Sequence, residues 1–238
     1  MKVLIVIPVY NEEKIIVKNL KKLYDFAQTN LTAYNYKIII ADNNSSDRTA
    51  TLVKEIEKSY PLISYEFFVK RGKGLAVMRT WQKYQNDFDI FAFMDADLST
   101  DLSALPLLIN SIITKNDIVI GSRYQKGASV QKPLVRHILS LGYRTILHLL
   151  LDTKINDFPC GFKAINKKIL EQIVPLIKND QFFFDTELVY LAEQRNFMIE
   201  EIPVKWSEPR SKSESKINLK SVSWRYLKEV WRISRKKY

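Results

Sequence analysis

The sequence predicts an α/β protein with a mostly parallel central sheet and helices on both faces. Two observations predict it. Nearly continuous apolar runs of strand length alternate with helix-patterned stretches through the first half of the 238-residue chain, and unbroken apolar strands belong to sheets covered on both sides. Polar clusters also follow directly on several of these runs, where a parallel sheet presents the carboxyl ends of its strands.

The elements follow in order. "VLIVIPVY" (3–10) is a strand, and residues 12–28 are a helix with Ile15, Ile16, Leu20, Leu23 and Tyr24 on one face. "YKIIIAD" (36–42) is the next strand, and "NNSSDRTATLVKEIEKSY" opens a helix on Asn and Ser capping residues. "ISYEFFV" (63–69), "FDIFAFMD" (88–95) and "NDIVIGSR" (116–123) continue the strand series, with intervening helices beginning near Gly74 and Leu102. Beyond about residue 124 the alternation stops. Residues 133–151 read as a helix striped by Leu134, Ile138, Leu141, Ile146 and Leu149, and "FPCGFKAI" as a compact turn or short strand. Residues 182–195 read as a buried helix and "IEEIPVKW" as a late strand. The tail alternates Trp224, Leu227, Val230 and Trp231 with Lys and Arg. The economical organisation is one domain over 1–216 with a basic, amphipathic helical extension over 217–238.

Composition narrows the function. The single cysteine, Cys160, excludes an internal disulfide and suits a reducing compartment. "MKVLIVIPVY" lacks the features of a secretory signal, and no apolar stretch approaches the ~20 residues that cross a bilayer. A formal charge of +11 favours anionic partners: nucleotides, phospholipid surfaces or nucleic acid. The aromatics lie in apolar periodic runs and form no stacking platform, which argues against nucleic acid. A basic coat that only confers solubility is the plainer alternative.

Chemistry concentrates at the strand ends, in "PVYNEE", "ADNNSSD" and "MDADLS". In the last, Asp95 and Asp97 close an apolar run. A strand interior does not tolerate unpaired carboxylates, so they belong to a turn at its end. There, hard oxygen donors suit Mg²⁺ or Mn²⁺, which in turn holds a diphosphate. Surface or capping roles are the alternative for an isolated Asp-x-Asp.

The segments "IPVYNEE", "ADNNSSDRT", "RGKGLAV", "MDADLS", "GSRY", "CGFKAI", "FDTEL" and "RSKSESK" occur in an order that resembles family 2 glycosyltransferases. The likeness is greatest to the dolichyl- and polyprenyl-phosphate mannose and glucose synthases, and it covers residues 1–216. It implies a GT-A fold and inverting, metal-dependent transfer of a hexose from a UDP- or GDP-sugar to a polyprenyl phosphate. By the same resemblance Pro8, Tyr10 and Glu12 cradle the donor's base and ribose. Asp42 and Asn43 stand where the family reads the base. Because Asn43 replaces a frequent Asp and offers both donor and acceptor, uracil and guanine both stay open. Asp95, Ala96 and Asp97 match the metal-and-ribose motif, and Ser99 stands where the mannose branch often has a Gln metal ligand. Arg123, Arg136 and Ser140 match acceptor-phosphate contacts. Arg210, Ser215 and Lys216 reproduce the family's late Arg and Ser-Lys pair, whose cations, by the resemblance, would close over the diphosphate.

A phosphate acceptor also has a chemical argument. A hydroxyl acceptor needs a general base, whereas a lipid phosphate is already anionic and needs cations to approach a second anion. Arg123, Arg136, Arg210 and Lys216 are available for that. Asp185 and Glu187 remain as bases for a hydroxyl acceptor such as a glycan, or else they orient Arg side chains or the sugar. Asp157 is a lesser acceptor-site candidate. Gly161 allows a close backbone approach beneath a bound sugar, Cys160 is a small buried residue and no nucleophile, and His137 and His148 are structural. The tail helix is either an interfacial anchor or a helix packed on the core. Relatives often end in transmembrane helices. The expectation here is therefore a peripheral protein on the cytoplasmic face of a membrane, a fragment, or a chain completed by a membrane subunit, with a homo-oligomer also open.

Overall fold

The computed structural model describes residues 1–131, 134–208 and 219–235, apart from the side chains of 134–139 and 219–224. The elements run β1 (Lys2–Val9), α1 (Ile16–Asn30), β2 (Asn35–Asp42), α2 (Thr49–Ser59), β3 (Ile63–Phe67), α3 (Lys73–Lys83), β4 (Ile90–Met94), α4 (Ala104–Thr114) and β5 (Ile118–Ser122). They continue as β6 (Ser129–Gln131), α5 (Leu134–Leu151), β7 (Phe162–Asn166), α6 (Lys167–Gln172), a 3₁₀ turn at Val174–Leu176, α7 (Phe184–Gln194), β8 (Ile199–Pro203), β9 (Lys205–Ser207) and α8 (Leu219–Ser234).

Seven strands form the central sheet in the order β3-β2-β1-β4-β7-β5-β8. Every strand pair in it is parallel except those made by β7, which runs antiparallel to both β4 and β5. All residues of β4 and β5 are buried, so the sheet is covered on both faces, as unbroken apolar strands require. On the Phe93 face, α3 sends Trp81 edge-on to Phe93, and Phe184 of α7 lies 5.3 Å from the same ring.

Several boundaries differ from the sequence expectation, for local reasons. The first helix starts at Ile16, because residues 10–15 are spent on a turn with Asn11 in the left-handed region at φ 54°. α2 begins at Thr49, whose backbone N–H donates to Asp47 Oδ1, so Asp47 serves this helix end. "IEEIPVKW" divides at Val204: β8 joins the main sheet, and β9 pairs with β6 in a separate parallel ribbon. The regular alternation does end near residue 124, but the sheet does not. β7 enters it between β4 and β5 with a lysine, Lys163, near its start and fully buried, and a charge there hides the strand from an apolar pattern.

The tail helix packs on the core. Val230 and Ile233 are buried, and Tyr226 meets Tyr143 of α5 and Phe183 edge-on, each at 5.5 Å. No helix among the described residues is long and apolar enough to cross a membrane.

Candidate active site

The loops after β1 and β2 are laced together at the carboxyl edge of the sheet. Asn11 Oδ1 accepts from the Ser46 backbone N–H at 2.7 Å, the Asn11 N–H donates to Ser45 Oγ at 2.9 Å, and the Glu12 N–H donates to Thr49 Oγ1 at 2.7 Å. Tyr10 and Glu12 are half-buried at this edge, as is Pro8, and the Arg71 guanidinium lies 4.8 Å over the Tyr10 ring. Asp42 is fully buried. Its oxygens accept from the Ser45 N–H at 2.8 Å and the Tyr65 hydroxyl at 2.7 Å, so it braces the loop from beneath. Asn43 Oδ1 accepts from the Gly72 N–H at 2.5 Å, joining this loop to the start of α3.

Asp95 and Asp97 occupy a turn immediately after β4. The Leu98 N–H donates to Asp95 O at 3.2 Å, and Leu98 is left-handed at φ 51°. The turn ends the strand's side-to-side alternation. Asp97 Oδ1 accepts from the Ser99 N–H at 3.1 Å, and Ser99 itself is buried. Gly161 lies against Asp95: its carbonyl accepts the Asp95 N–H at 3.1 Å, and a Cβ there would meet Asp95 Oδ2 at 2.1 Å. The close approach anticipated for Gly161 therefore serves the carboxylate.

A lysine faces the acidic turn. Lys73 Nζ is 2.6 Å from Asp95 Oδ1. Burial disfavours its charge, yet Asp95, Asp185 and Asp97 outweigh that cost and hold its pKa above the ordinary lysine value. Behind it, the fully buried Lys163 donates to the carbonyls of Phe158 (2.7 Å) and Cys160 (2.5 Å) and lies 3.7 Å from Asp185 Oδ2. Burial raises the Asp185 pKa against the pull of Lys163 and Lys73. Burial likewise pushes the Cys160 thiol up to about 12, so it has no nucleophilic character near neutral pH.

Two oxygen donors, a stand-in ammonium on one of them, and a glycine cradle around it fit a hard divalent cation that takes few protein ligands. Among the described residues no group of three or more His, Cys, Asp or Glu comes together that could hold a metal ion.

A small cavity is lined by Arg123, Tyr124, Ser140, Tyr143, Arg144 and Asp157, among others. Asp157 is fully buried and holds Arg123 bidentately, through Nε at 2.8 Å and Nη2 at 2.7 Å. Burial alone would lower the Arg123 pKa, and Asp157 more than reverses this. Much of the Arg123 charge is thus met inside the protein, and Asp157 is its anchor. Arg144, a cavity residue that the sequence does not single out, sits 4.9 Å over the Tyr124 ring and pairs with no carboxylate among the described residues. Its signal is faint, because an arginine in an apolar helix reads as a solvated face.

Glu187 is fully buried. It accepts from the backbone N–H groups of Lys178 and Asn179 at 3.1 and 2.9 Å and pairs with Arg232 of α8 at 2.9 Å. Asp185 orients lysines and Glu187 an arginine. The His148 ring lies 2.8 Å from Thr153 O, in a structural role. Arg210, Ser215, Lys216 and the side chains of Arg136, His137 and Trp224 lie outside the described residues.

Comparison with known proteins follows the same outline. Residues 4–174 match the family model described as Glycosyl transferase family 2. The chain is 30% identical to a dolichol-phosphate mannosyltransferase of Pyrococcus furiosus, over 98% of its own length and 64% of that protein's. It is 30% identical to dolichyl-phosphate beta-glucosyltransferases of Saccharomyces cerevisiae, covering 86% of this chain and 66% of the yeast protein, and of Dictyostelium discoideum, covering 96% and 76%. It therefore spans about two thirds of the length of the first two relatives. Among solved structures it resembles glucosyl-3-phosphoglycerate synthase from Mycobacterium tuberculosis in complex with Mn²⁺, UDP and phosphoglyceric acid: TM-score 0.71, 18% identity, 98% of this chain and 78% of that one. It also resembles a mannosyltransferase from Pyrobaculum calidifontis in complex with GDP-Man and Mn²⁺: TM-score 0.59, 17% identity, 89% of this chain and 58% of that one. At such identities these likenesses establish the fold, which is GT-A.

Proposed function

The chain belongs to glycosyl transferase family 2, and on that premise we propose that it transfers a hexose from a nucleotide-diphosphate sugar to a polyprenyl phosphate, with inversion. One observation carries the reading: the acidic turn of Asp95 and Asp97 and the arginine-lined cavity of Arg123, Arg144 and Ser140 are neighbours, bridged by residues 157–161. The relatives' names point the same way.

In this reading the laced loops around Tyr10, Glu12 and Asn43 receive the nucleoside, and Asp95, Ala96 and Asp97 face the diphosphate side. Asp95 and Asp97, with Ser99 nearby, would hold Mg²⁺ or Mn²⁺, which neutralises charge on the departing nucleoside diphosphate. Arg123, fixed by Asp157, presents a rigid guanidinium, and Arg144, Arg136 and Ser140 complete the contacts to the acceptor phosphate. Arg210 and Lys216, which lie outside the described residues, would add positive charge for the donor's diphosphate. Asp185 and Glu187 favour the phosphate acceptor over a hydroxyl one. Both are buried and paired with Lys163 and Arg232, so neither is presented as a base. The acceptor implies a peripheral station on the cytoplasmic face of a membrane, reached through α5 and α8.

The test is a panel of UDP- and GDP-sugars incubated with Mn²⁺ or Mg²⁺ and a short polyprenyl phosphate, with products read by mass spectrometry. One donor should give polyprenyl-phosphate hexose. Asp97→Ala should lose at least about a hundredfold in rate, and Arg144→Ala should raise the KM for the lipid far more than it lowers kcat. Transfer only to a hydroxyl-bearing glycan, or full turnover in Asp97→Ala, would overturn the assignment.

A further inference from the structure

Lys73 is the first residue of α3, and its ammonium is built into the acidic turn. Only 15% of the side chain is exposed, and Nζ lies 2.6 Å from Asp95 Oδ1. The same nitrogen lies 5.5 Å from the Phe93 ring centre and 5.9 Å from that of Phe182. The glycines on either side keep this helix end hard against the segment that leads into α7. A Cβ on Gly72 would meet Asp180 O at 2.4 Å, and one on Gly74 would meet Phe184 Cβ at 2.5 Å. Leu75 and Gly74 donate their backbone N–H groups to the carbonyls of Asp180 and Gln181 at 2.9 and 3.1 Å. Lys73 therefore has little freedom to swing away from Asp95.

Asp95 holds Lys73 and Asp185 holds the buried Lys163, in a partly desolvated pocket. A divalent cation that approaches the turn without a nucleotide meets an ammonium already seated on an Asp95 oxygen. A diphosphate reverses this, since it attracts both cations and adds ligands for the metal.

We infer that Lys73 is a positioning residue that makes divalent-metal binding at the Asp95–Asp97 turn conditional on a nucleotide's diphosphate. The inference rests on the nucleotide-sugar reading above. Lys73 weakens the metal site when the nucleotide is absent, so the two ligands bind as a strongly coupled pair. By linkage, UDP tightens Mn²⁺ by the factor with which Mn²⁺ tightens UDP.

Titration calorimetry on the full chain tests this, with Mn²⁺ alone, UDP alone, and each in the presence of the other, and GDP run in parallel. Wild type should bind Mn²⁺ weakly alone and at least about tenfold more tightly with nucleotide. Lys73→Met should bind Mn²⁺ alone about tenfold more tightly than wild type, and its nucleotide-dependent gain should shrink correspondingly. Asp185→Asn makes the pocket more positive and should shift Mn²⁺ affinity the opposite way. A merely structural loss would weaken both ligands in both variants and would overturn the inference. So would an unchanged Mn²⁺ affinity in Lys73→Met. If Lys73→Met does not fold, Lys73→Gln, which removes the charge and keeps a hydrogen-bonding side chain, takes its place and is read by the same outcomes. Wild type that binds neither UDP nor GDP with Mn²⁺ removes the nucleotide-sugar reading itself. Normal coupled binding with no shift in the variants removes only the role of Lys73.

Discussion

Gly161 shows how much of this site depends on what a residue lacks. Asp95 Oδ2 occupies the space a methyl group would fill, 2.1 Å from an ideal Cβ. Because that carboxylate lies at a turn and is 39% exposed, it can yield without disturbing the core. Gly161→Ala should therefore keep the thermal midpoint within a few degrees while weakening Mn²⁺–nucleotide binding at least about tenfold by calorimetry. Unchanged binding would mean that Asp95 does not need its present position. Legibility in the sequence divides along similar lines. Asp95 and Asp97 are legible because a pair of carboxylates directly after an apolar strand has little to do there except meet a cation. Lys73 is not, although it lies within "RGKGLAV", because a lysine between glycines reads as solvated charge. Asp157, a lesser candidate for the acceptor site, lines the cavity and holds Arg123, a partner 34 residues away that spacing alone does not reveal. Asp42, expected at the base, is occupied by Tyr65 and Ser45.

At the level of elements, the first turn of α7 has two tasks. Asp185 faces the lysines beneath the acidic turn, and two residues later Glu187 holds Arg232 of α8. The tail helix is thereby fastened to the element that borders the site. Breaking a buried ion pair costs about 3–5 kcal/mol. Because Arg232 is 26% exposed, solvent screening reduces the expected loss for Glu187→Gln to about 1–3 kcal/mol. Amide exchange across 225–235 should then accelerate well before that of β1 or β4. Uniform acceleration over the whole chain would instead mean that α8 and the sheet open as one unit. The strand series through β5 is legible because unbroken apolar runs have a single plausible use. β7 is obscured by Lys163, whose charge is satisfied by two carbonyls and a carboxylate from elsewhere in the fold.

At the scale of the molecule, the excess of 37 Lys and Arg over 26 Asp and Glu coincides with exposed apolar residues on two adjoining helices: Leu149 at 79% and Leu150 at 47% on α5, and Trp231 at 54% on α8. Arg225, Lys228 and Arg235 lie on or beside α8, and Arg225 and Arg235 are exposed. Co-sedimentation should therefore recover the protein with vesicles of anionic phospholipid at low salt, progressively less as ionic strength rises, and little with neutral vesicles. Equal recovery on both would discount the charge. The reversed course of β7 also fixes a length. Because β7 runs backwards between β4 and β5, the segment entering it arrives at the same rim from which its neighbours depart. Asp157 and Gly161, four positions apart, thus set a guanidinium on one side and a carboxylate on the other. So short a span works like the fixed spacer of a caliper: it can accept changes of side chain, but an added residue would throw both jaws out of true together.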